Sequence, residues 1–488
     1  MNTKAFVMRG VLFCFICLCS FFVSFAQQTD NYEQAMRRAI NNNNLNVALS
    51  IYNSAVEEDY YNLSALTNMA CEIHYKQNNT DLAINLCKTL YDDDESNNLT
   101  DIMYICLLAK QGSNNDELIS NIVQKIGDGY FDKNILSDLK ILQKKDIDKA
   151  TLAINRCIIN DSIKDKDELF AYKNLLTLLY FSNEQYVAAY NSSADISASD
   201  NQGVMYYVLG VLSEKRREYA SADVYLYMAI KNGYTHHDAY MHRAIAKGWE
   251  KDYVESNKLL DTCLMIDTNY YVYFLRGVNF LRMFRYEEAL QMLDYSIQLN
   301  GTFADAYNYR GIVYGNMALY DFAVMDFKHA ISLDNATHYA HNNLGMAYES
   351  LGKEKEAVEE YKKSISIEPH FAGGYYNLGR YYTNKRQISK AIKNLERAAE
   401  LDEDISDSFY LLGVNYQRKN KKDTACEYYT QALEKKHTKA QDKIDNYCNK
   451  DQDTETDNEN QNDDNNVENG DNEQYSPGQY DYDSNYEQ

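Results

Sequence analysis

One glycine returns every 34 residues through the second half of this 488-residue chain: Gly277, Gly311, Gly345, Gly379 and Gly413. Other residue classes keep the same beat. Twelve positions after each glycine stands Ala289, Ala323, Ala357, Ala391 or Ala425, and four further on Leu293, Phe327, Tyr361, Leu395 or Tyr429. Three beyond that comes Ser296, Ala330, Ser364, Ala398 or Ala432. An aromatic also follows each glycine by three residues (Phe280, Tyr314, Tyr348, Tyr382, Tyr416). This spacing predicts two amphipathic helices per unit, the first carrying the glycine and the second the alanines. Small side chains let the two approach closely, and bulky ones fill the grooves between them. A single pair cannot bury its own apolar face, so successive units must stack.

A 34-residue period with these classes at these offsets resembles the tetratricopeptide repeat. The resemblance implies an all-α fold, an α-solenoid or superhelix, and a role as a protein-interaction module whose first helices line a concave face. Residues 270–439 form the regular part, and 27–269 carry a worn version of the pattern. There, Ala48, Tyr52 and Ala55 fit the second-helix slots, as do Ala83, Cys87 and Leu90. Residues 98–128 and 134–165 match more weakly, the latter through Ala150, Ile154 and Cys157, and Tyr186 with Ala189 marks another unit. Regularity returns with Gly210, Ala222 and Ala229, then with Ala244, Ser256 and Cys263. About twelve helix pairs are expected, closed by a polar capping helix ending over 440–450. Only two prolines occur, which suits a chain with almost no helix breakers.

The two ends read differently. Lys4 and Arg9 precede an apolar run, Val11 to Val23, and Ser24-Phe25-Ala26 offers a small-residue cleavage site. That is the pattern of a secretory signal peptide over 1–26, the alternative being an uncleaved anchor, and the run is too short to span a bilayer. Its flanking sequence and the abundance of Asn and Tyr resemble exported proteins of Bacteroidetes-type bacteria, so a periplasmic, cell-surface or secreted location is expected. Residues 451–488 hold thirteen Asp or Glu and no Lys or Arg, against a net charge of −23 for the whole chain. Such a segment buries too little surface to offset its ordering entropy, and disorder is expected. The overall acidity argues against nucleic acid and anionic membranes as partners.

Candidates for chemistry are few. No GxSxG, HExxH or Walker-type loop occurs, no cofactor is expected, and the reading is non-enzymatic. His338 and His341 lie one turn apart but make no zinc site without further ligands, and His341 is read as a packing residue. Loss of the signal segment leaves seven cysteines, an odd number. Several take small-residue slots and read as buried hydrophobes. In the repeat it resembles, the slots of Cys71 and Cys87 face each other across one helix pair, making these two the expected disulfide. The same resemblance puts the binding surface on the first helices: Tyr271, Phe274, Asn308, Ile312, Asn342, Met346, Tyr376, Arg380, Tyr410, Val414 and Arg418, with Arg380 and Arg418 favouring an acidic group on the ligand. Asn343 and Asn377, each in an Asn-Leu-Gly frame, resemble the asparagine ladder with which O-GlcNAc-transferase-type repeats hold a peptide backbone. An amide can pair with an extended chain of any sequence, and tyrosine adds stiff contact area. The expectation is a scaffold binding a protein or extended peptide there. The alternative is a structural part of an envelope assembly or secretion complex, held by its outer surface.

Overall fold

At each beat of the regular half, the glycine lies against the bulky residue sixteen positions later. A Cβ on Gly277 would stand 2.7 Å from Leu293 Cγ, and one on Gly413 would stand 2.6 Å from the Tyr429 ring. Gly311 meets Phe327, Gly345 meets Tyr361, and Gly379 meets Leu395 in the same way. These are separations that real Cβ atoms do not show, so hydrogen at this slot sets how closely the paired helices pack. The alanines and the bulky residues of the second helices are buried.

The structure, a computed structural model, describes residues 32–449 apart from 59, 61, 112–115, 127–133, 161–165, 194–202, 335–336 and 403–405. The expected signal segment 1–26 and acidic segment 451–488 lie outside the described residues. The fold is all-α, with helices paired in sequence order. Two compact units meet in the chain at Glu250–Lys251. This is one helix ahead of the boundary at 269/270 drawn from pattern regularity.

In the second unit, helix Tyr253–Ile266 precedes five pairs of a first helix (A) and a second helix (B): Tyr270–Arg282 with Tyr286–Leu299, Ala304–Asn316 with Tyr320–Leu333, His338–Ser350 with Glu354–Ile367, Ala372–Asn384 with Ile388–Leu401, and Ser406–Arg418 with Lys422–Glu434. Each A helix turns into its B helix through a left-handed residue seven places after the glycine. Phe284, Ala318, Gly352, Arg386 and Asn420 all have φ between 53° and 72°. Glycine takes that conformation freely, whereas the others hold it under strain imposed by the helix pair.

The first unit uses the same grammar with more deviation. Leu63–Lys76 pairs with Thr80–Asp92, Lys166–Ser182 with Tyr186–Ser193, and Gly203–Lys215 with Tyr219–Lys231. Ala83, Cys87 and Leu90 are buried, as are Ala150, Ile154 and Cys157. The weakly matching stretch 134–165 departs from a full pair. A stub, Ile135–Asp138, runs through a 3-10 turn at Leu139–Ile141 into helix Lys144–Asn160. Asp146, buried on that helix, accepts a 2.8 Å hydrogen bond from the Tyr75 hydroxyl, which in turn accepts from the Gln143 N–H. This polar anchor ties helix Lys144–Asn160 to helix Leu63–Lys76.

The disulfide expectation is corrected. Cys71 and Cys87 do face each other, and their thiol contact, with burial, pushes the Cys87 thiol pKa far up. Both are fully buried and remain free thiols. An enclosed thiol held protonated, as at Cys87, makes a poor thiolate for exchange. The cystine instead joins Cys426, on the last B helix, to Cys448, with Cα atoms 5.8 Å apart. It pins the terminal turns Ala440–Lys443 and Ile444–Cys448 onto the final repeat.

Candidate functional site

The residues nominated on the A helices of the second unit form a polar ladder from one repeat to the next. Asn343 Nδ2 donates to Asn308 Oδ1 at 3.2 Å, and Asn377 Nδ2 donates to Asn342 Oδ1 at 3.0 Å. One repeat further, Asn415 Nδ2 donates to Thr383 Oγ1 at 2.7 Å, and Arg418 Nη1 donates to the Thr383 carbonyl at 2.8 Å. Arg380 makes a two-pronged contact with Glu349, at 2.7 and 3.0 Å, and Tyr361 donates to the same carboxylate at 2.8 Å. Tyr339 donates to Asp305, and Tyr376 to Asp407.

Burial decides what these groups can reach. Asn342 and Asn343 are each 1% exposed, and Asn308 and Arg380 are fully enclosed. Asn377, Phe274, Ile312, Met346, Tyr410 and Val414 are buried too. The expected free amide ladder is therefore corrected: these side chains bond to one another between repeats instead of facing an extended chain. The physical reason is the close stacking of successive A helices, which brings side chains 31 to 35 residues apart into contact. Tyr271, Tyr376 and Arg418 keep partial exposure. Tyr271 stacks on Phe274, which meets Phe303 and Tyr309 edge-on at about 5 Å.

Electrostatics follow the same pairing. Burial holds the Asp305 carboxyl above its ordinary pKa, with the Tyr339 bond opposing. Asp407 moves the other way, held low by its hydrogen bond with His437 (Nε2 to Oδ1, 3.1 Å) against partial burial. Burial works against the Arg380 cation, but Tyr361 and Glu349 favour it and hold its pKa up. His341 lies 2.6 Å from Glu360, so its packing slot includes a polar partner. Sequence reasoning missed Glu349, Asp407 and Thr383 as rungs. The available signal was complementary polar residues 31 or 32 positions apart, such as Glu349 with Arg380.

The B-helix face is built differently. Phe322 and Met325 on helix Tyr320–Leu333 are 54% and 67% exposed, and Tyr295 and Leu299 on the preceding B helix are 47% and 51% exposed. Phe284, in the turn before that helix, is 59% exposed. Further along, a cleft of about 730 Å³ runs beside helix Ile388–Leu401. Among the described residues, no group of three or more His, Cys, Asp or Glu is arranged to hold a metal, and no helix is long and apolar enough to cross a membrane.

Comparison with known proteins agrees with the helix pairing. Residues 338–371, 372–405 and 407–435 each match the tetratricopeptide repeat. Residues 338–405 and 407–435 thus carry tetratricopeptide repeats. No curated protein matches it in sequence. Among solved structures it is similar to a tetratricopeptide repeat protein from Parabacteroides merdae, at 15% identity and a TM-score of 0.42, over 51% of this chain and 99% of that one. It is also similar to MamA from Desulfovibrio magneticus, at 25% identity and a TM-score of 0.31, over 35% of this chain and 96% of that one. A third is YrrB, described as a tetratricopeptide-repeat protein with an unusual peptide-binding site, at 19% identity and a TM-score of 0.29, over 36% of this chain and 90% of that one.

Proposed function

We propose that this chain is an exported, non-enzymatic scaffold that binds a protein partner through the B-helix face of its second unit. The observation that carries this reading is the run of exposed apolar side chains Phe284, Tyr295, Leu299, Phe322 and Met325. Phe322 and Met325 stand three residues apart, on one helix face, and large apolar residues gathered on successive helices mark an interaction surface. A peptide groove along the A helices remains the second reading. It is supported by the partly exposed Tyr271, Tyr376 and Arg418, the amides having been taken up between repeats. Export is supported by the N-terminal pattern and by the Cys426–Cys448 cystine, since cystines persist in oxidising compartments.

Partner capture from an envelope fraction by the mature chain separates the two surfaces. Phe322→Ser with Met325→Ser should weaken capture at least about tenfold, as loss of a contact hot spot does, while Tyr376→Ala with Arg418→Ala should leave it unchanged. The opposite pattern rejects the B-helix reading in favour of the A-helix groove. Capture unaffected by either pair rejects both. Fractionation of cells, with sequencing of the mature N-terminus, tests export: cleavage after Ala26 is expected, and a cytoplasmic, uncleaved chain contradicts it.

A further inference from the structure

The cleft beside helix Ile388–Leu401 is cationic on a strongly acidic chain. Lys362 comes from the preceding B helix, and Lys390, Lys393 and Arg397 from this one, facing two carboxylates, Glu396 and Glu400. Those carboxylates are already engaged. Arg397 pairs with Glu400 at 3.0 Å, and Glu396 accepts the Tyr416 hydroxyl at 2.9 Å. Lys390 lies over the Tyr382 ring at 5.3 Å. Lys362 and Lys393 are exposed, and neither has an ion-pair partner among the described residues. Tyr375 and Tyr382 add aromatic surface to the lining of the cleft. Such a site takes a flexible, carboxylate-rich strand bearing aromatic rings: carboxylates meet the lysines, and rings meet the tyrosines and the aliphatic stems of the lysines.

We propose that the occupant is this chain's own acidic C-terminal segment, residues 451–488. Three observations converge on it. Its charge is complementary, with thirteen Asp or Glu, no Lys or Arg, and four tyrosines. Its starting point is fixed, because the Cys426–Cys448 bond holds the end of the described chain against the last B helix. Its length suffices. The cleft lies about two interhelix spacings from that anchor, on the order of 20 Å, and about 20 residues of flexible chain span roughly 25 Å. Tethering at this distance gives an effective concentration of roughly millimolar, so weak ion pairs are enough to occupy the cleft. This inference does not depend on the partner surface proposed above.

Zero-length carbodiimide coupling of the full mature chain, mixed as equal unlabelled and ¹⁵N-labelled copies and read by peptide mass spectrometry, tests it. At low salt the segment's carboxylates should couple within one chain, and to Lys362, Lys390 and Lys393 ahead of Lys419, Lys421 and Lys436, which are also exposed. Raising salt to about 0.5 M should reduce that preference several-fold, because it screens exposed charges beyond a few ångströms. Lys390→Gln with Lys393→Gln, both surface changes, should lower coupling to the remaining Lys362. Coupling spread over lysines according to exposure overturns the proposal. Coupling mainly between copies also overturns it, and points to a second molecule as the occupant.

Discussion

Replacing Glu349 should loosen the junction between two repeats far more than the loss of one surface charge would. Its carboxylate accepts two bonds from Arg380 and one from Tyr361. The Arg380 and Glu349 side chains are only 1% and 13% exposed, so solvent screens the pair little. Removing one partner of such a pair costs about 3–5 kcal/mol, whereas replacing both with apolar residues of similar volume costs about zero or even stabilises. Glu349→Leu and Arg380→Met are therefore each expected to lose about 3 kcal/mol alone, and together about 1 kcal/mol or less. A coupling energy of about 2 kcal/mol or more follows. Stacked repeats can open in sections, so the readout should be local. Amide exchange of helices His338–Ser350 and Ala372–Asn384 should accelerate together in each single variant and recover in the double. If the double variant loses the sum of what the two single variants lose, with coupling under about 0.5 kcal/mol, the pair does not hold the junction.

Other expectations follow from the same geometry. Gly413→Ala should destabilise by about 1–2 kcal/mol despite gaining helix propensity, because the new Cβ meets the Tyr429 ring, whose hydroxyl is tied to Gln417. A stability increase measured by urea unfolding would refute it. Ala318→Gly should instead stabilise by about 1 kcal/mol, since Ala318 holds φ 59° where glycine is unstrained. Asp407 has its folded pKa depressed, so its contribution is present above the unfolded value and is lost as pH falls through the folded one. In a carboxyl NMR titration its midpoint should lie below that of an ordinary aspartate and rise in His437→Gln; an unchanged midpoint removes His437 as the cause. A non-reducing peptide map of the mature chain should show one cystine, Cys426–Cys448, with Cys71 and Cys87 alkylated only after unfolding. A Cys71–Cys87 peptide would contradict this.

The helix pairing was legible because its determinants lie within one repeat. Glycine, alanine and the bulky residue touch inside a single helix pair, so a fixed spacing encodes the contact, as Gly345 against Tyr361 shows. The fate of the first-helix polar residues was not legible. Whether Asn342 faces solvent or Asn377 depends on how closely successive repeats stack, and one repeat's amphipathic pattern does not encode that distance. The cystine escaped for a related reason. Cys426 occupies the slot that holds buried Ile392 one repeat earlier, and here the short turns Ala440–Lys443 and Ile444–Cys448, in place of a full first helix, bring Cys448 to it. Weak periodicity over 134–165 did carry information, since that is where a stub stands in for a helix.

Oxidative footprinting tests the proposed partner face most directly. Met325 is 67% exposed and should oxidise readily in the free protein, whereas Met346, at 1%, serves as the internal control. With the captured partner added, Met325 and Phe322 should become protected while Tyr271 and Tyr376 keep their reactivity. Unchanged oxidation of Met325 alongside protection of Tyr271 and Tyr376 would place the partner on the A helices and contradict the account.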